Sequence, residues 1–165
     1  VAFIVGLALL ACGGIALLGN AASGPATNPR ATVAPPATPP SESAATYLDP
    51  RLLAANPYGY AGQNIYLQGK ALNVEQAGSY TWVQLMAQPA GKTDTESIVV
   101  EMRPWATKLL KGECYRIYGV VQGTQEVTRT LTGATNTVPL VYGYAYRSAP
   151  SGSHDIGCAP PTTIP

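Results

Sequence analysis

The stretch NIYLQGKALNV, residues 64–74, places Ile65, Leu67, Gly69 and Ala71 on one side of an extended chain. A period of two is the mark of a half-buried strand. Gly69 falls inside that pattern. A glycine in mid-strand marks a bend or a bulge. A strand that bends in its middle can turn the corner of a small barrel, which a flat sheet does not require.

Four further runs share this texture: Tyr80–Ala87 (YTWVQLMA), residues 97–102 (SIVVEM), 114–122 (CYRIYGVVQ) and 140–146 (LVYGYAY). In the fourth run Cys114, Arg116 and Tyr118 alternate with Tyr115 and Ile117. Between the third and fourth runs, residues 104–112 read PWATKLLKG. Proline at the start and glycine at the end delimit a short helix. Ahead of the first run, Asp49 and Pro50 read as the cap and first position of a helical turn over LLAA, which Asn56-Pro57 stops. The expected fold is mainly β: a five-stranded barrel with a short helix between strands three and four.

This order resembles the OB-fold, which places its helix at the same point. Asn56-Pro57-Tyr58-Gly59-Tyr60-Ala61-Gly62 precedes the first strand, and Gly69-Lys70-Ala71 lies within it. Leu110-Lys111-Gly112-Glu113, Ile117-Tyr118-Gly119 and Thr137-Val138-Pro139 come later in the chain. With these motifs, residues 50–147 resemble small bacterial membrane-tethered OB-like proteins of unknown function. The resemblance implies a fold and a tether, and carries no catalytic residue.

Outward from the barrel the composition changes. Residues 1–18, VAFIVGLALLACGGIALL, hold no charge. At about 1.5 Å per residue such a helix approaches the thickness of the hydrocarbon core. Residues 1–19 are expected to be a retained transmembrane helix. Ala8, Cys12 and Ala16 share one helix face, and Gly6 and Gly13 add small positions where another membrane helix can pack closely. A second reading stays open: Leu9-Leu10-Ala11-Cys12 resembles a lipoprotein signal, with Cys12 as the acylated residue. Residues 19–29 carry no Lys or Arg, so the positive-inside rule puts the rest of the chain outside the cytoplasm. The expected location is the cell membrane, single-pass, with the globular part extracytoplasmic.

Residues 20–46 are rich in Pro, Ala and Thr, and are expected to form an extended spacer. Residues 47–148 hold the barrel, and 149–165 form a Pro/Gly/Ser-rich tail. Cys114 and Cys158 are the cysteines outside the apolar segment, and in an oxidising compartment they are expected to pair. That bond would pin the tail to the start of strand four.

Chemistry is sparse. The one histidine, His154, lies near Cys158, but a closed zinc site needs four ligands. No phosphate-binding loop, dinucleotide fingerprint or haem motif is present. The carboxylates, Glu75 and Glu101 among them, are scattered, and Glu101 beside Arg103 reads as a surface charge pair. No enzyme, cofactor or metal is expected. Tyr66, Tyr80 and Trp82 offer a ligand or partner face. Net charge is +1, and the second and third runs hold no Lys or Arg. A nucleic-acid groove needs a basic lining, so nucleic acid is not expected as a partner. The composition therefore points to a non-enzymatic accessory subunit, docked on other membrane-protein subunits. Electron-transport complexes supply the analogy. A tethered module for an envelope glycan or peptide is the alternative.

Overall fold

The structure, a computed structural model, describes residues 34, 36–102, 108–128, 135–150 and 158. Among them run β1 (Thr46–Tyr47), α1 (Pro50–Ala55), β2 (Asn64–Ala77), β3 (Tyr80–Ala87), β4 (Glu96–Met102), β5 (Cys114–Thr128) and β6 (Thr135–Ser148). All five expected runs are strands. Their hydrogen bonds follow the order β2-β3-β4-β6-β5, and β5 returns to β2. The ring closes as an OB-like barrel.

β2 makes this closure possible. Its first half, Asn64 to Lys70, pairs antiparallel with β5. Its second half, Gly69 to Ala77, pairs antiparallel with β3, with a register shift between Ala71 and Asn73. The partner changes at Gly69. A Cβ there would run into the carbonyl oxygen of Met86 and lie 2.8 Å from the Cα of Ala87. The missing side chain lets β3 cross that close to the corner.

Ile65, Leu67 and Ala71 point inward as their alternation requires. They meet Val83 and Leu85 of β3, Ile98, Val100 and Met102 of β4, Tyr115, Ile117 and Val121 of β5, and Val141 of β6. Leu53 of α1 is fully buried in the same core. Asp49 caps α1 through a bond from the Arg51 N–H, and Pro50 occupies its first turn. The Arg51 guanidinium also donates to Asp49 and holds that carboxyl below its ordinary range. Asn56-Pro57 ends α1, and Pro57 opens a 3-10 turn, Pro57–Tyr60.

In the Thr-rich loop of residues 123–138, which the sequence offers as a hairpin arm, Gly123 to Thr128 continue β5 and pair antiparallel with Thr135 to Leu140 of β6. The structure differs from the sequence expectation elsewhere. β1 adds a sixth, two-residue strand, parallel to β2 at Ile65 and Tyr66. Residues 41–46, expected to end the spacer, lie on the barrel. The backbone carbonyl of Ser41 accepts from Asn64 and Tyr144, and Glu42 pairs with Arg147 at 2.8 Å. The helix expected over 104–112 falls partly on 104–107, outside the described residues. The described part, Lys108 to Gly112, is not helical: residues 108, 111 and 112 lie in turns, Leu109 is buried in the core and the Leu110 N–H donates to the Tyr115 hydroxyl.

The apolar segment with Gly6, Ala8, Cys12, Gly13 and Ala16 lies outside the described residues, as do His154 and Arg103. Among the described residues, no helix is long and apolar enough to cross a membrane.

Candidate functional site

Cys114 and Cys158 form the expected disulfide, joining residues 44 apart in sequence. Both are buried. Cys114 is the first residue of β5 and its side chain faces out of the barrel, so Cys158 is held against the barrel's outside.

Tyr66, Tyr80 and Trp82 all point out of the barrel, but not together. Tyr66 precedes the Gly69 corner and belongs to the β2–β5 wall. There its ring lies 5.6 Å from Tyr47 and 5.9 Å from Tyr118. Tyr66 is 8 % exposed. The Arg116 guanidinium sits 5.0 Å over its ring and donates to Gln68 Oε1. This wall is a second apolar cluster, completed by Val120 and Tyr144 and flanked by Ala45 and Tyr47. The Tyr144 hydroxyl donates to Asn64 at 2.7 Å, and burial pushes its pKa up. The Tyr47 hydroxyl accepts from the Ala90 N–H and so holds the β3–β4 loop. Tyr66 is therefore occupied within the molecule.

Tyr80 and Trp82 lie beyond the corner, on the outer face of β3. Tyr80 is 40 % exposed, and Trp82, Gln84 and Met86 are half-buried. The neighbouring strands complete the face by register. Trp82 stands opposite Glu75 on β2 and opposite Glu101 on β4. Gln84 is flanked by Asn73 and Val99, and Met86 by Lys70 and Ser97. Opposite residues on one sheet face have Cβ atoms about 4.5–5.5 Å apart. Trp82 thus lies between two glutamates in its cross-strand row. Asn73 donates to Glu75 Oε1. Burial raises the pKa of Glu101, and the ion pairs among the described residues, Asp49–Arg51 and Glu42–Arg147, do not involve it.

Sequence reasoning finds Trp82 and Tyr80 but not their acidic flanks. Glu75, Trp82 and Glu101 are far apart in sequence, and only the pairing register unites them. It also misses Tyr47, Tyr118 and Tyr144. The shared parity of Cys114, Arg116 and Tyr118 is the available signal, since it puts all three on the outer wall.

No protein-family model matches the chain, and no curated protein matches it. Several solved structures are similar. A mitochondrial single-stranded DNA-binding protein from S. cerevisiae is 15% identical, with a TM-score of 0.36, over 53% of this chain and 94% of that one. A small single-stranded DNA-binding protein from Streptomyces coelicolor is 14% identical, with a TM-score of 0.36 and the same coverages, 53% and 94%. An aspartyl tRNA synthetase from Entamoeba histolytica is 13% identical, with a TM-score of 0.41, over 67% of this chain but 24% of that one. One expectation is corrected here. The sparse positive charge excludes nucleic acid as a partner on sequence grounds, yet two of these similar structures are single-stranded DNA-binding proteins, so the exclusion does not stand. Likeness at this level argues for no particular ligand of this chain.

Proposed function

We propose that this chain is a non-enzymatic, membrane-anchored accessory subunit whose barrel stands on the extracytoplasmic side and docks on a larger membrane protein complex. The observation that carries this reading is the outer face of β3, where Tyr80, Trp82 and Met86 remain accessible on a rigid, closed barrel. Aromatic residues and methionine are enriched at protein interfaces. The other aromatic wall, around Tyr66, is already filled by the chain's own Tyr47 and Arg116. The buried Cys114–Cys158 disulfide supports an oxidising compartment. The uncharged run of residues 1–18 supports the anchor.

Docking through a face of this kind works by shape and desolvation. Trp82 would fill a pocket on the partner, and the surrounding polar residues would exclude water from the rim. The test is mild detergent extraction of the full chain from its native membranes, followed by size analysis and mass spectrometry. Co-migration with defined membrane subunits, lost in Trp82→Ala, is the expected result. A wild-type chain that migrates alone as a monomer overturns the reading.

A further inference from the structure

Trp82 has carboxylates on both sides and no Lys or Arg in its own cross-strand row. Across the described outer positions of the face, which are Lys70, Asn73 and Glu75 on β2, Tyr80, Trp82, Gln84 and Met86 on β3, and Ser97, Val99 and Glu101 on β4, the charged groups are two carboxylates in the Trp82 row and Lys70 at the far end. Among the described residues of the face, the nearest cation by register is Lys70, opposite Met86 and two rungs from Trp82. At about 3.4 Å per residue, that is about 14 Å along the strand.

We propose that the Glu75–Trp82–Glu101 row is a binding site for an arginine or lysine side chain on an extended segment of the docking partner. The proposal rests on the docking reading above and names the partner's chemistry. A tryptophan face attracts a cation through its quadrupole more strongly than tyrosine or phenylalanine does. The flanking carboxylates add direct charge attraction and acceptors for the cation's N–H groups. The two carboxylates are prepared differently. Asn73 orients Glu75 by a hydrogen bond, whereas Glu101 is partly desolvated and makes no ion pair among the described residues. A cation arriving between them would give Glu101 a counter-charge. The molecule uses the same contact internally, where Arg116 lies over Tyr66 and bonds Gln68. On the β3 face the ring and the acceptors are in place, and the cation comes from outside.

The experiment titrates the full chain in detergent, by calorimetry, with a capped Gly-Arg-Gly-Arg-Gly peptide. A Gly-Glu-Gly-Glu-Gly peptide and oligo(dT) serve as comparison probes. The arginine peptide should bind saturably. Affinity should fall about tenfold in Glu75→Gln/Glu101→Gln and at least as far in Trp82→Ala. It should weaken as salt rises from about 50 to about 300 mM. Near-isosteric glutamines at outer positions keep the barrel intact, which circular dichroism checks. Equal affinity in the double variant, or preference for either comparison probe, overturns the proposal. The same variants in native membranes separate the two readings. If Trp82→Ala releases the partner and Glu75→Gln/Glu101→Gln does not, docking stands and the cation site falls. If neither releases it, docking through this face falls as well.

Discussion

At residue 69 a side chain and a closed barrel exclude each other. An alanine methyl would meet the Met86 carbonyl and the Ala87 backbone, neither of which can swing away as a side-chain tip could. Gly69→Ala should therefore cost at least the upper part of the ~1–3 kcal/mol usual for overpacking, read as a lower denaturant midpoint. Unchanged stability would mean that β3 does not cross β2 at this point. The sequence shows that residue 69 bends the strand, because glycine interrupts an otherwise regular alternation. It does not show that the bend divides Tyr66 from Trp82, since alternation marks each as outward on its own strand without saying which wall it joins. Glu101 makes a second test at this scale. Burial raises its folded-state pKa above the ordinary carboxyl value, so ionising it opposes folding. The unfolded chain releases that proton first as pH rises, and the folded protein loses stability through the window between the two pKa values. Glu101→Gln should accordingly unfold at a higher temperature than wild type at pH 7. The gap should close as pH falls below about 4.5. A gap that stays constant with pH would show that Glu101 is fully solvated.

At the scale of elements, legibility depends on contrast between the two faces of a strand. β3 is legible from end to end because Thr81, Val83, Leu85 and Ala87 are buried while the residues between them are not. The far halves of β5 and β6 are legible only as a long loop that could be a hairpin arm, because Gln125, Glu126, Asn136 and Thr137 are exposed in a polar, Thr-rich stretch. An arm wetted on both faces has no alternation to read. β1 escapes for another reason. Two residues carry no period, and Tyr47 declares itself only through its contacts with Tyr66 and Ala90. The disulfide is legible from cysteine count and position, and it predicts a clear effect. Cys114→Ser in the full chain should cost about 2–4 kcal/mol, because the unfolded ensemble is freed of a long closed loop. Denaturant titration of oxidised wild type against the variant measures this. A difference below about 0.5 kcal/mol would mean that the bridge constrains little.

At the scale of the molecule, the barrel and the apolar segment make separable predictions, because each has its own source of stability. The barrel buries its own core and carries a crosslink. The segment at residues 1–18 is uncharged throughout, and an uncharged helix of that length is stable in hydrocarbon. The connecting residues lack the large apolar side chains that would join the two into one core. Alkaline carbonate and high salt strip proteins held by charge, whereas a spanning helix is released only by detergent. The full chain should stay in the membrane pellet under both washes. Cleavage ahead of Ser41 should release the barrel in soluble form with the Cys114–Cys158 bond intact. The intact mass should be that of a chain with unmodified Cys12, two hydrogen atoms lighter than the fully reduced form. An added acyl mass at Cys12 would favour the lipoprotein reading and leave the barrel's role unchanged. Recovery of the chain in the wash supernatant would remove the anchor, and with it the reason to expect that the face around Trp82 meets a partner fixed in the same membrane.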